Sequence, residues 1–396
     1  KNYQIMDLIN LVVAFLCIIF VLMGYNSMKT SGVKCYNLSF FFFFFCFLLN
    51  TTKLSIYQQD KTFDDIYYLI IGSLFFFFPI YFSEKCKIKK WKHGNLFNIT
   101  KLYFVFLVVY IATKIYISTI VGWRINSFLT STFLVNGDSL SVPGYTGLAA
   151  VLQWTLLMMT PLLPKKKMFL GVIFVLALIV FSFLHVKRGD IMRMSVFFLI
   201  LYLYRSFQVS SIRKTNKKQM LKVGLILSLI LFVFIQFGNI RQEARGEEKN
   251  ELVQLLGLKY NNNALAWVYG YFAINYDVVR LYYDVKNNNK PDALKGIIGG
   301  EEDNPYNKSI NGFNATTFLS PFIIDYGIWF FVELVIFTLI ICFFLFFSKK
   351  LRHDSLYIFI TSYVALFPFG NYFLSRAIFS SMILFIFISL FLKEDS

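Results

Sequence analysis

Apolar blocks near the ~20 residues that cross a bilayer core alternate with short segments rich in lysine and arginine along most of this chain. That alternation constrains the fold more than anything else in the sequence. Runs such as Phe40 to Phe45 have no inside/outside alternation, which excludes an outer-membrane barrel. The residues are 57% hydrophobic and 15% charged, and 49 of them are Phe. Soluble domains carry about a quarter charged residues. A soluble enzyme, a disordered chain and a nucleic-acid reader are therefore excluded. The expectation is an all-α, polytopic helical membrane bundle, with residues 1–396 forming a single membrane domain.

The formal net charge of +17 would suit a nucleic-acid partner, but its placement argues against one. The cations cluster between apolar blocks, at Lys85 to Lys92, Lys165 to Lys167, Arg213 to Lys222 and Lys349 to Arg352. This is the positive-inside pattern of cytoplasmic loops. Reading blocks against these loops predicts roughly eleven spans (ten to twelve): 5–24, 36–52, 66–82, 102–120, 146–163, 168–186, 190–205, 223–239, 322–347, 355–372 and 376–392. Parity then places the C-terminal tail in the cytoplasm and the N-terminus outside. No cleavable signal is expected in the first block. The five cysteines form no CxxC pair, so neither a disulfide frame nor a zinc site is expected.

One segment departs from the alternation. From Asn239 to Thr316 there is no convincing span, the charges nearly balance, and the segment falls on the outer side. Loops of this length are functional or disordered. Leu265, Val268, Tyr269, Phe272, Tyr276, Val279 and Tyr283 recur at helical spacing, with Asp277, Arg280 and Asp284 on another face. Such a pattern predicts a helix lying at the membrane surface or dipping into it. Asn287 to Pro291 ends that helix, and Gly299 to Asn307 reads as a mobile polar loop.

No phosphate-binding glycine loop, zinc motif, nucleophile elbow or acidic metal cluster occurs, so the candidates are charges at the outer rim. His185, Lys187 and Arg188 occupy an outer turn where cations run against the topology. A phosphate seat would explain them, because guanidinium offers paired donors; so would snorkelling, with Asp190 pairing Arg193. Arg241 and Arg245 lie four apart, so they repel unless a dianion or the neighbouring Glu243, Glu247 and Glu248 compensate them. Asp325, Trp329 and Glu333 fall close to one helix face. Glu333 would then lie about 12 Å deeper than Asp325, either serving chemistry or pairing with a residue such as Lys114.

Three stretches of the chain resemble bacterial oligosaccharide repeat-unit polymerases, the Wzy-type O-antigen polymerases. Lys187-Arg188-Gly189-Asp190 resembles the family's Arg-Gly turn. Tyr269-Gly270-Tyr271-Phe272-Ala273-Ile274-Asn275-Tyr276-Asp277 resembles its aromatic-Gly segment. Asn314-Ala315-Thr316-Thr317 followed by Asp325-Tyr326-Gly327 is similar to its Asn-x-x-Thr…Asp-Phe-Gly stretch, with Tyr326 where Phe is commoner. The resemblance covers about 185 to 330. It implies an inner-membrane glycosyltransferase that transfers a sugar chain from undecaprenyl pyrophosphate onto a new lipid-linked repeat unit at the periplasmic face. The implied partners are the lipid-linked donor and acceptor, membrane lipid and a chain-length regulator protein, without nucleic acid.

Under that resemblance, Arg188, Arg245 and Asp325 are the expected catalytic residues. Lys187, Arg241, His185, Arg280, Asp277 and Tyr271 are expected to bind pyrophosphate or substrate. Pyrophosphate is already a good leaving group, so positive charge matters more than a general acid, and neither metal nor cofactor is expected. Asp325 is the expected base for the acceptor hydroxyl, ahead of Asp277 and Glu243. The alternatives are a polysaccharide ligase, whose loop histidine has no counterpart between Asn239 and Thr316, and a lipid-linked oligosaccharide flippase or other transporter. A transporter would carry its charges inside the bundle.

Overall fold

The computed structural model describes residues 2–91, 96–121, 142–184, 188–209, interspersed positions from 221 to 239, 251–283 and 317–392. Among these residues every regular element is helical. In chain order they are α1 (Asn2–Ser31), α2 (Cys35–Asn50), α3 (Phe63–Lys85), α4 (Ile99–Val121), α5 (Tyr145–Met159), α6 (Met168–Leu184) and α7 (Arg188–Val209). Then follow α8 (Glu251–Leu255), α9 (Asn263–Tyr269), α10 (Asn275–Arg280), α11 (Ser320–Tyr326), α12 (Phe331–Lys350), α13 (Ser355–Ala365) and α14 (Arg376–Leu390).

Among the described residues, four helical stretches are long and apolar enough to cross a membrane: Asp7–Ser31, Phe63–Lys85, Ile99–Ile120 and Phe331–Lys350. Leu11, Phe15, Phe78, Phe104, Val172 and Leu339 are exposed on the outside of the bundle, which suits lipid rather than water. The chain is a multi-pass helical membrane protein. Other predicted blocks form helices shorter than a full crossing. α2 has 16 residues, about 24 Å at 1.5 Å per residue, and ends at the Asn50–Thr51 turn. α5 stops where Pro161 enters a 3-10 turn, and α13 where Pro368 does. α7 is long enough but carries Asp190 and Arg193 in its first turns.

Phenylalanine clusters mark the middle of the core. Phe43, Phe76, Phe318 and Phe367 are fully buried, with Phe43–Phe318 and Phe76–Phe318 ring centroids 5.6 and 4.8 Å apart. α2 sits at the centre, against α1, α3 and α13, while α12 packs along α3 and α5 packs on α4 and α14.

Two expectations are corrected. The predicted span 322–347 is not one helix: Gly327, at φ +52°, ends α11, and a 3-10 turn leads into α12. A left-handed residue stops an α-helix, and glycine takes that conformation without a Cβ penalty. Asp325 and Glu333 are therefore both buried while Trp329 is 64% exposed, so the three share no face. Glu333 lies in the first turn of α12, not two turns deep in a longer helix. Nor is Lys114 placed to be its partner. α4 packs on α5 and α6 whereas α12 packs on α3, and the Lys114 ammonium stands over the Tyr110 ring.

The second correction concerns the expected surface helix. The stretch 263–280 is helical as its spacing implies, with Asn262 capping α9 by accepting from the Leu265 amide. It lies inside the bundle, however. Tyr269, Tyr276, Val278 and Val279 are buried, Tyr276 stacks on Phe47 at 5.1 Å, and its hydroxyl donates to the Phe43 carbonyl at 2.8 Å. Asp277, on the charged face, is buried too, and Asp284 lies outside the described residues.

Candidate functional site: a buried ion network

Lys61, two residues before α3, and Asp65, in its first turn, are four residues apart. Asp277 and Arg280, three apart, lie on α10. The two segments meet with opposite signs in register: Lys61 Nζ is 3.6 Å from Asp277, and Arg280 Nε is 3.4 Å from Asp65. Lys61, Asp65 and Asp277 are buried, and the Arg280 side chain is 12% exposed. Charges cannot be left alone in such surroundings, so a complementary pair of pairs is the arrangement that tolerates them.

Amides complete the network. Asn50, at the end of α2, donates to Asp277 and to the Ala273 carbonyl, and its own oxygen accepts from Lys61. Gln58 donates to Asp277 at 3.3 Å and accepts from the Tyr269 hydroxyl at 2.8 Å. Tyr283 donates to Asp65 at 3.0 Å. Burial pushes the Asp277 carboxyl above the usual carboxylate range, while Lys61, Asn50 and Gln58 hold it down. Nearer solvent, Lys53 and Asn10 hydrogen-bond the Asp60 carboxylate and hold it below that range.

The local backbone explains how these groups meet. Residues 51–62 pair with the segment after α8 through an antiparallel bridge between Ser55 and Leu258, with Ile56 N–H donating to the Gly257 carbonyl at 2.8 Å. Gly257 is at φ +55°, and a Cβ there would come within 2.5 Å of Ile56. A π-helical turn follows each half of the approach: Ile66–Ile71 immediately after Asp65, and Gly270–Ile274 just before α10. Single π turns recur at functional sites because the extra residue re-aims side chains and frees carbonyls. The Ala273 carbonyl that Asn50 reaches lies in the second of these turns.

Position follows from helix length. α3 runs from Phe63 to Lys85, where the basic segment begins, so the network lies about 33 Å from the basic loops, at the opposite end of the bundle. Two buried polar atoms here have no hydrogen-bond partner among the described residues, Arg280 Nη1 and Asp277 Oδ1. The network can thus offer one guanidinium donor to a polar ligand without dismantling its ion pairs, whereas Asp277 Oδ1 is the oxygen that faces Lys61.

Of the residues singled out from the sequence, the structure joins Asp277 and Arg280. Tyr271 faces elsewhere: it lines an apolar cavity of about 340 Å³ with Met28, Phe41, Phe272 and Phe369. Asp325, expected at a water-accessible rim, is 3% exposed. Arg188 begins α7, and its side chain lies outside the described residues, as do His185, Lys187, Arg241, Arg245 and the polar loop 299–307. The Asp190–Arg193 pair is present at 2.6 Å, and the Arg193 guanidinium also stacks over Trp154 and Tyr372, at 4.9 and 5.4 Å.

Asn50, inside the predicted span 36–52, and Gln58, Lys61 and Asp65, in the connection after it, were not singled out from the sequence. The available signal was Lys61 itself, an isolated lysine at the end of the bundle where cations are disfavoured, with a carboxylate one helical turn on. No family model, curated protein or solved structure matches the chain.

Proposed function

We propose that this protein is a membrane glycosyltransferase of the repeat-unit polymerase type, acting on undecaprenyl-pyrophosphate-linked oligosaccharide at the periplasmic face of the inner membrane. One observation carries the reading. The segment that resembles the polymerases' aromatic-Gly stretch delivers Asp277, and one turn later Arg280, into a buried network at the end away from the basic loops. A guanidinium with a free Nη1 in low dielectric is suited to stabilise charge on a departing pyrophosphate. Arg188 and Arg245 remain the other proposed cations. Asp325 remains the foremost proposed base, ahead of Asp277; both carboxylates are buried, at 3% and 5% exposed.

Purified protein should extend lipid-linked repeat units in vitro, and Arg280→Gln should abolish extension beyond one repeat while the protein remains in the membrane. Full-length polymer from Arg280→Gln at normal abundance would remove that residue from the mechanism.

A second reading, a lipid-linked oligosaccharide transporter, is favoured by the burial of all four charges inside the bundle, where transporters place their coupling groups. Reconstituted vesicles separate the two. Translocation of a labelled lipid-linked oligosaccharide without change in its length supports transport, and elongation supports the polymerase.

A further inference from the structure

At the basic end, a half-open cavity of about 260 Å³ lies between the turn after α5, the last turns of α7 and the start of α13. Its polar side is formed by Arg205, Arg352 and His353. Its inner side is formed by Leu162, Leu201 and Ile358, the last two buried. Both arginines are exposed. The one carboxylate lining it, Asp354, is hydrogen-bonded by Tyr204. Two guanidiniums against one carboxylate leave a net positive site, and the exposed turn Lys165–Lys167 begins three residues after Leu162.

We propose that this cavity binds the phosphate of an anionic phospholipid. Arg205 and Arg352 would donate to its phosphodiester oxygens, in the charge-assisted geometry that guanidinium favours. Leu162, the half-buried residue of that wall, together with the exposed Met168 and Phe169 distinguishes a lipid from a free anion, since they leave apolar surface for the first methylenes below the headgroup. The surroundings fit a headgroup depth: Met168 and Phe169 are exposed at the start of α6, and Lys167 folds its ammonium over the Phe169 ring at 6.0 Å. This site lies at the other end of the molecule from the ion network and is independent of the proposed activity.

The test is thermal stabilisation of the detergent-purified full chain by phosphatidylglycerol, phosphatidylcholine and inorganic phosphate. In Arg205→Gln/Arg352→Gln, the half-stabilising phosphatidylglycerol concentration should rise by more than roughly tenfold, since each lost charge-assisted hydrogen bond is itself on the scale of tenfold. Lys85→Gln/Lys87→Gln removes the same charge from the same end but not from the cavity, and should change it less than about twofold. Equal loss in both variants would reduce the effect to general basicity and overturn the proposal. Stabilisation by inorganic phosphate at the same concentration as phosphatidylglycerol would overturn it as well, by making the apolar surface irrelevant. If the double variant fails to fold, Arg352→Gln alone, altering an exposed side chain, is read by the same outcomes.

Discussion

The two ends of the bundle use the same residue types for opposite purposes. At the basic end, Lys349 donates to the carbonyls of Ser83, Glu84 and Cys86 and so caps α3, and Lys350 lies over Trp91 and Phe346 at 4.8 and 4.4 Å. Lys85, Lys87, Lys89 and Lys90 are exposed. Those four exposed lysines act through number and position, and another cation would serve nearly as well. At the other end, each of the four network charges has a named partner on a different segment. Lys61 has Asp277 and Arg280 has Asp65, with amides filling the remaining positions. Charge that orients a membrane protein is interchangeable, whereas charge buried inside it is partner-specific.

The largest expected effect breaks a pair at the buried end. Asp277→Ala leaves Lys61 buried without its carboxylate and should cost about 3–5 kcal/mol, seen as a steep fall in membrane abundance and melting temperature. Removing both charges, Lys61→Met with Asp277→Leu, should recover most of that loss, because no orphaned ion remains. At the basic end, Lys87→Ala should leave the melting temperature within error. If Asp277→Ala melts like Lys87→Ala, the two ends do not differ in the way described.

A smaller effect tests the joint that brings the segments together. Gly257→Ala places a Cβ where φ is +55° and Ile56 is 2.5 Å away. The backbone strain alone is about 1–2 kcal/mol. The melting temperature should fall by less than in Asp277→Ala. Cysteines introduced at Ser55 and Leu258, bridge partners in the parent, should cross-link less readily in the variant. Unchanged cross-linking would show that the bridge does not depend on that glycine.

Most helix positions were legible because burial in lipid leaves a strong one-dimensional signal: the apolar blocks at 5–24, 66–82, 102–120 and 168–186 each fall within or nearly coincide with a helix. Where that signal is uniform, it hides breaks. The apolar stretch from Pro321 to Phe347 gives no hint, apart from Gly327, that α11 and α12 are separate. Amphipathicity misled for a different reason. The spacing around Tyr276 shows one apolar and one charged face, which describes a helix at a lipid surface as well as one whose charges are met by others. Lys61 and Asp65 lie more than two hundred residues away, and no periodicity within 263–283 can announce them. The candidate site was half visible for the same reason: Asp277 and Arg280 belong to a recognisable segment, and their partners do not.

The smallest expected effect lies at the border between the two regimes. Asp60 is one residue from Lys61, yet it faces solvent and is held by Lys53 and Asn10, not by the buried pairs. Its folded carboxyl is depressed, with the Lys53 hydrogen bond the largest cause. A depressed acid adds stability that is present above its unfolded value, about 3.9, and is lost as pH falls through the lower folded value. Asp60→Asn keeps an acceptor for Asn10 but removes the charge. It should therefore lower the melting temperature only slightly at pH 7, by an amount that shrinks with added salt, because exposed pairs are screened. The wild-type and variant curves should converge below about pH 4. If the difference instead persists at low pH or is insensitive to salt, Asp60 belongs with Lys61 and Asp277 in the partner-specific network, and the boundary between the two kinds of charge lies further out along residues 51–62.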